Sequence, residues 1–212
     1  HHIGLSGTEG GSMGINFKFG WNSIFIRNTY KYAGPSAVIK GGQLPYYKLN
    51  DVSDWGYLQD DGVAFQCGGG TQIGTVITQN WVHNSIKSGM RFDGDEDNDP
   101  YDDNKMLRGV FARNVVWNAA VGYMVKGDDH RVYNNVGFDN EIDTKILRSS
   151  HHANGNVLTQ TTNNIFGTAT GHRSKITPLP SINTSNFIVD PLNHKIGSVL
   201  RDPANRDFRP KI

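Results

Sequence analysis

The chain of 212 residues contains a single cysteine, Cys67. That excludes an intramolecular disulfide and any zinc centre built from several thiolates. Apolar residues make up only 36% of the chain, which is low for a layered globule and suits a narrow core walled by many turns. No apolar run approaches the roughly 20 residues that a membrane-spanning helix requires. A net charge of +1 provides no broad basic field, so a general nucleic-acid binder is not expected, although a local basic groove is compatible with it. No signal peptide can be read. His1-His2 begins HHIGLSG, which reads as the tail of an earlier repeat, so a fragment that opens inside a stack is expected.

What is abundant is glycine, at 25 residues, and a loose internal repeat. RNVVWNAAVGYMVKG (113–127) is echoed by IRNTYKYAGPSAVIKG (26–41), QNWVHNSIKSGMRFDG (79–94) and NNVGFDNEIDTKILRS (134–149). Each copy has an Asn, an apolar run, a polar corner and a second apolar run that ends in a charge. Tandem units of this kind mark a stacked architecture. Asn114 follows Asn80 by 34 positions and Asn135 follows Asn114 by 21. The acidic DEDNDPYDDN segment accounts for the difference and reads as an insertion on one edge of the stack.

A period near 21 residues, with β-branched runs and no amphipathic helical pattern, excludes the longer helical repeats. The leucine-rich spine is absent as well. The expected fold is all-β: a parallel β-helix, a solenoid open at both ends. The coils are expected over 1–173, with loop excursions at 43–61 and 94–106. An irregular Pro-rich tail over 174–212 is expected to pack on the stack, because its prolines cannot sit in central strands.

This pattern, over about residues 3–167, resembles the right-handed parallel β-helix of the pectin-lyase-like superfamily, and DPANRDFRP (202–210) resembles a closing segment common there. The superfamily commonly stacks Asn side chains in one turn. Asn28, Asn80, Asn114 and Asn135 hold the equivalent place and are assigned to structure, since stacked amides satisfy the backbone groups of a tight buried corner.

Aligned on the residue that ends each second run, Lys40, Asp93, Lys126 and Arg148 fall in one outward column. Val38, Arg91, Met124 and Ile146 fall in another two positions back. A charged strip of this kind could groove an anionic polymer, or be an exposed ion-pair ladder worth little. Lys126 beside Arg148 could act as a base whose pKa is lowered by the neighbouring cation. The Arg could then stabilise the enolate formed in β-elimination on a uronic acid. VKGDDHRVYNN and ILRSS resemble the Lys- and Arg-bearing coils of the chondroitinase B and alginate lyase family. That resemblance implies Lys126 as base and Arg148 as its partner. Where that family places calcium ligands, this chain has Ala120, Val121, Tyr123 and Met124.

Other readings stand beside this one. Asp95, Glu96, Asp97, Asp99, Asp102 and Asp103, with Asp93, could hold calcium or form a solvated loop. Asp60-Asp61, Asp93 and Asp128-Asp129 could serve a glycoside hydrolase, though the Gly-His-Gly of pectin hydrolases is missing. Trp81 and Trp117 could stack on sugar, and His83, His130, His151 and His152 could act as acid or base or fill corners. Cys67 is expected to point inward. The expected function is an extracellular or periplasmic protein that binds, and by β-elimination cleaves, an acidic or sulfated polysaccharide. The alternatives are a hydrolase, or a non-catalytic glycan- or calcium-binding module that stacks with further coils or copies of itself.

Overall fold

The structure is a computed structural model. It describes residues 13–17, 20–34, 37–57, 61–68, 73–94, 106–147, 155–180, 182–188 and 196–211. Strands dominate these segments, and the one α-helix among them is the four-residue Ile196–Val199.

The first strands are β1 (Met13–Asn16), β2 (Ile24–Ile26), β3 (Thr29–Ala33) and β4 (Ala37–Lys40). Next come β5 (Tyr46–Lys48), β6 (Asp51–Trp55), β7 (Val63–Gly68), β8 (Val76–Thr78) and β9 (Trp81–Asp93). The middle holds β10 (Val110–Ala112), β11 (Val115–Val125), β12 (Arg131–Tyr133), β13 (Val136–Phe138) and β14 (Ile142–Ile146). The last are β15 (Gln160–Thr162), β16 (Ile165–Phe166), β17 (Ala169–Thr170), β18 (Ile182–Thr184), β19 (Phe187–Ile188), β20 (Leu200–Asp202) and β21 (Asp207–Pro210).

Seven strands form one parallel sheet in the order β18-β15-β12-β10-β8-β5-β2. Twelve form a second sheet along β1-β4-β7-β9-β11-β13-β16-β19, with β3, β6, β14 and β17 attached. Each passage of the chain thus adds a strand to one sheet and then to the other. The long β9 and β11 run through a corner that β3/β4, β6/β7 and β13/β14 interrupt. Among the described residues only β20 and β21 pair antiparallel.

Corners recur in columns. Arg27, Leu49, Gln79, Arg113, Asn134, Asn163 and Ser185 all have positive φ, and each directly precedes an Asn. Tyr32, Asp54, Asn84, Asn118 and Asp139 make a second positive-φ column at the bend between strands. Residues other than Gly, Asn and Asp rarely adopt this conformation. At Arg113 the backbone N–H is bonded to Tyr133 O of the next layer.

The Asn residues that follow form a continuous ladder: Asn28, Asn50, Asn80, Asn114, Asn135, Asn164 and Asn186. From Asn50 onward each Oδ1 accepts from both the backbone N–H and the Nδ2 of the Asn one layer earlier, at 2.8–3.1 Å. The Nδ2 groups from Asn50 onward also donate to carbonyls of the preceding layer, such as Phe25 O and Ile77 O. The four Asn assigned to structure are ladder members. Asn50 lies inside 43–61, a stretch expected to be a loop excursion, yet β5 and β6 pair there with strands on both sides. Stacking also continues beyond residue 173, through β18 and β19. The prolines of the tail fall outside both of those strands.

The core is a set of inward columns. Phe25, Tyr47, Ile77, Phe111 and Val132 stack in the seven-stranded sheet, and Val52, Val82, Val116 and Phe166 face them; all are buried. Rings stack between layers, with Phe25–Tyr47 centroids 5.0 Å apart and Phe92–Phe111 3.8 Å apart. Cys67 is fully buried in this core, and burial pushes its thiol pKa up to about 12.

Candidate functional site

The ends of β7, β9 and β11 bring together charges far apart in the chain. Asp93 lies level with Gly68, and Lys126 follows the Phe92–Val125 pair with its N–H on Phe92 O. Lys126 Nζ donates to Asp93 Oδ1 at 2.5 Å. Arg91 donates to Asp61 through Nη1 at 2.6 Å and Nη2 at 3.3 Å. Its Nε lies 3.2 Å from Asp93 Oδ2, an ion-pair distance without hydrogen-bond alignment. The Arg91, Lys126 and Asp93 side chains are only 8%, 13% and 23% exposed, so water screens the contacts around Asp93 little, whereas Asp61 is 76% exposed. The Arg91 guanidinium holds the Asp61 carboxyl below its usual range, against a smaller opposing effect of burial.

The register differs from the expected alignment. Lys40 follows the Ile39–Phe65 pair and so stands level with Gln66, which pairs with Arg91, Met124 and then Lys145. It does not share the column of Asp93 and Lys126. Val38 and Ile146, expected to face outward, are fully buried. Leu147, not Arg148, stands level with Lys126, because Ile146 pairs with Val125. The physical reason is corner length. β9 carries an extra residue where its pairing with β11 shifts, and the corners between β3 and β4 and between β6 and β7 differ in length. Counting back from the terminal Gly therefore misplaces a side chain by one position or more.

Arg148, His151, His152 and the acidic residues Asp95, Glu96, Asp97, Asp99, Asp102 and Asp103 lie outside the described residues. Among the described residues no group of three His, Cys, Asp or Glu is placed to hold a metal ion. Asp93 is engaged with two cations and does not fit a calcium ligand role as it stands.

Lys145 joins the strip from a position that sequence reasoning passed over. Its Nζ donates to Arg173 O at 3.0 Å, and burial together with the Arg173 charge lowers its pKa. The alternation in IDTKI is the signal that could have found it.

His130 sits elsewhere. It is fully buried, its Nδ1 accepts from Gly109 N–H at 3.0 Å, and its Nε2 lies 2.8 Å from Lys126 O. The Gly109 donor makes Nδ1 the acceptor, so Nε2 carries the proton and donates to Lys126 O. Burial lowers the His130 pKa to about 4. His130 therefore positions the Lys126 backbone and cannot meet substrate.

Trp81, His83, Trp117 and Phe138 line an outer face of the twelve-stranded sheet. His83 stacks on Trp117 at 4.1 Å, and Trp117 on Phe138 at 5.9 Å. The tail lies over them. Phe208 contacts Trp81, Trp117 and Phe138 at 5.2–5.7 Å. Arg206 lies 5.2 Å above the Trp81 ring and bonds Asp51 Oδ2 at 3.3 Å, while His83 Nε2 meets Asp51 Oδ1 at 3.0 Å. His83 and Arg206 hold the Asp51 carboxyl below its usual range. The two Trp are thus a seat for the tail.

Asp128 accepts from Val157 N–H at 2.6 Å, and Asp129 pairs with Arg131 at 2.9 Å. No helix among the described residues is long and apolar enough to cross a membrane. Compared with protein-family models, with curated proteins and with solved structures, the chain matches none.

Proposed function

We propose that the chain is a right-handed parallel β-helix of the pectin-lyase-like kind and that it binds an acidic or sulfated polysaccharide outside the cell or in the periplasm. The observation that carries this reading is the packing of Arg91 and Lys126 on successive layers around Asp93, with Lys145 in the next layer. Cations repeated at one-layer intervals, about 4.8 Å apart, suit a polymer that carries its charges at intervals. Cleavage would follow by β-elimination. Lys126 takes the proton from the ring carbon next to the sugar carboxylate, the bond from the following ring carbon to the bridging oxygen breaks, a double bond forms between the two ring carbons, and the departing oxygen takes up a proton from water. Arg148 is the proposed partner for the developing enolate.

Lys126 can act as a base only once it leaves Asp93, because its Nζ donates to that carboxylate at 2.5 Å. The same contact favours a second reading, a binding module without chemistry. A hydrolase gains less support, since Asp61 is held ionised by Arg91 and lacks the proton a general acid must give.

The test is a screen of uronate-containing and sulfated polysaccharides for new near-ultraviolet absorbance and for binding. A lyase generates absorbance that Lys126→Ala removes. Binding without absorbance or new reducing ends leaves the module reading. Failure to bind any acidic polysaccharide overturns both.

A further inference from the structure

A groove of about 590 Å3 runs between the tail strand β21 and the corner that precedes the Asn ladder. It lies at the opposite end of β11 from Lys126. One wall is the positive-φ column Arg113, Asn134 and Asn163, one residue per layer. Their backbone N–H groups are already spent on Tyr133 O, Thr162 O and Thr184 O of the next layer. The three side chains are exposed and make no hydrogen bond or ion pair with another described residue. The other wall carries Arg206 and Arg209 from the tail. The one carboxylate among the described residues that line the groove, Asp207, is taken by Arg209 at 2.6 Å.

This inventory contrasts with the wall at Lys126. There, two carboxylates neutralise two cations. Here the unpaired Arg113 guanidinium and two side-chain amides stand at successive layer heights, facing Arg206 and Arg209, which are already paired with Asp51 and Asp207. One free guanidinium flanked by two amide donors, with no free carboxylate among the described lining residues, favours an anion. Donors spread over three layers, about 4.8 Å apart, select a ligand with several anionic groups along the stacking axis over a single small anion.

We propose that this groove is a seat for a linear acidic oligosaccharide, carboxylated or sulfated, lying along the stack, with Arg113 as the principal contact and the tail hairpin as the far wall. The proposal rests on the acidic-polysaccharide reading and assigns it a second site.

The experiment is calorimetric titration of the whole chain with a short oligouronate and a sulfated oligosaccharide, with a neutral oligosaccharide of equal length as control. Arg113→Asn keeps a residue suited to positive φ, and Asn134→Asp places a carboxylate in the groove without altering that backbone preference. Each should weaken acidic-ligand binding by about tenfold or more, as expected for a lost charge-assisted contact, with the melting temperature held. If both leave the affinity unchanged, the groove is not the seat; loss on Lys126→Ala would then show that the first reading survives without it. If no acidic oligosaccharide binds the unaltered chain, the groove and the reading it rests on fall together.

Discussion

Lys126 Nζ sits 2.5 Å from Asp93 Oδ1, although 33 residues separate them in the chain. One step between paired strands closes that gap. The pair offsets the Lys126 charge at rest, so an incoming anion competes with Asp93.

Asp93→Asn should therefore tighten binding of an acidic polysaccharide, by an amount on the order of tenfold. It should also destabilise the fold by about 2 kcal/mol, since Arg91 and Lys126 are poorly hydrated and lose a counter-charge. Binding titrations and urea unfolding measure the two effects. Weaker binding would mean that Asp93 contacts the ligand as an acid or base, as a hydrolase requires.

The Asn ladder should be unequal along its length. Asn114→Ala strands the N–H of Asn80 and takes the side-chain donor away from Ile77 O and Asn135 Oδ1 inside the core, while Asn80 Nδ2 keeps Tyr47 O and Thr78 O, a loss of about 3 kcal/mol. Asn186, at the last described rung, is partly exposed. Its replacement by Ala should cost about 1 kcal/mol. Equal losses in denaturant unfolding would count against stacking as the source of stability.

His130 predicts an acid-sensitive fold. The unfolded chain takes up the imidazole proton below about 6.5, whereas the folded chain resists until about 4. The contribution is complete above pH 6.5 and falls as pH drops toward 4, by about 3 kcal/mol in all. Urea midpoints at neutral pH and near pH 4 give the slope, and His130→Asn should flatten it. A slope unchanged in the variant would place the acid sensitivity in the carboxylates.

Phe208→Ala should release the tail without unfolding the sheets. The ring wedges among Trp81, Trp117 and Phe138, and its loss removes about 2–3 kcal/mol of local packing. Limited proteolysis should then cut within 196–211 while the body stays intact. Unchanged resistance would mean that Arg206 and β20 suffice to dock the hairpin.

Several of these features were legible from residue order. Asn28, Asn80, Asn114 and Asn135 stood out because each opens an apolar run, and the alternation in VVWNAAVGYMV marked buried and exposed faces. Asn50 was hidden by Pro45 and the polar residues around it. Asn164 and Asn186 follow runs too short to count as repeats. The tail's place on Trp81 and Trp117 left no local trace, since Phe208 contacts residues about a hundred positions away.

Alternation and corner chemistry act over a few residues. They sufficed to specify parallel strands, an inward Cys67 and a column of buried amides. Which charges became neighbours was decided elsewhere. Hydrogen bonds between layers set the register, and each corner adds its own number of residues to the count. Lys126 therefore met Asp93, Lys40 moved level with Gln66, and Leu147 took the height expected for Arg148 because strand pairing, not spacing along the chain, assigns position in a stack.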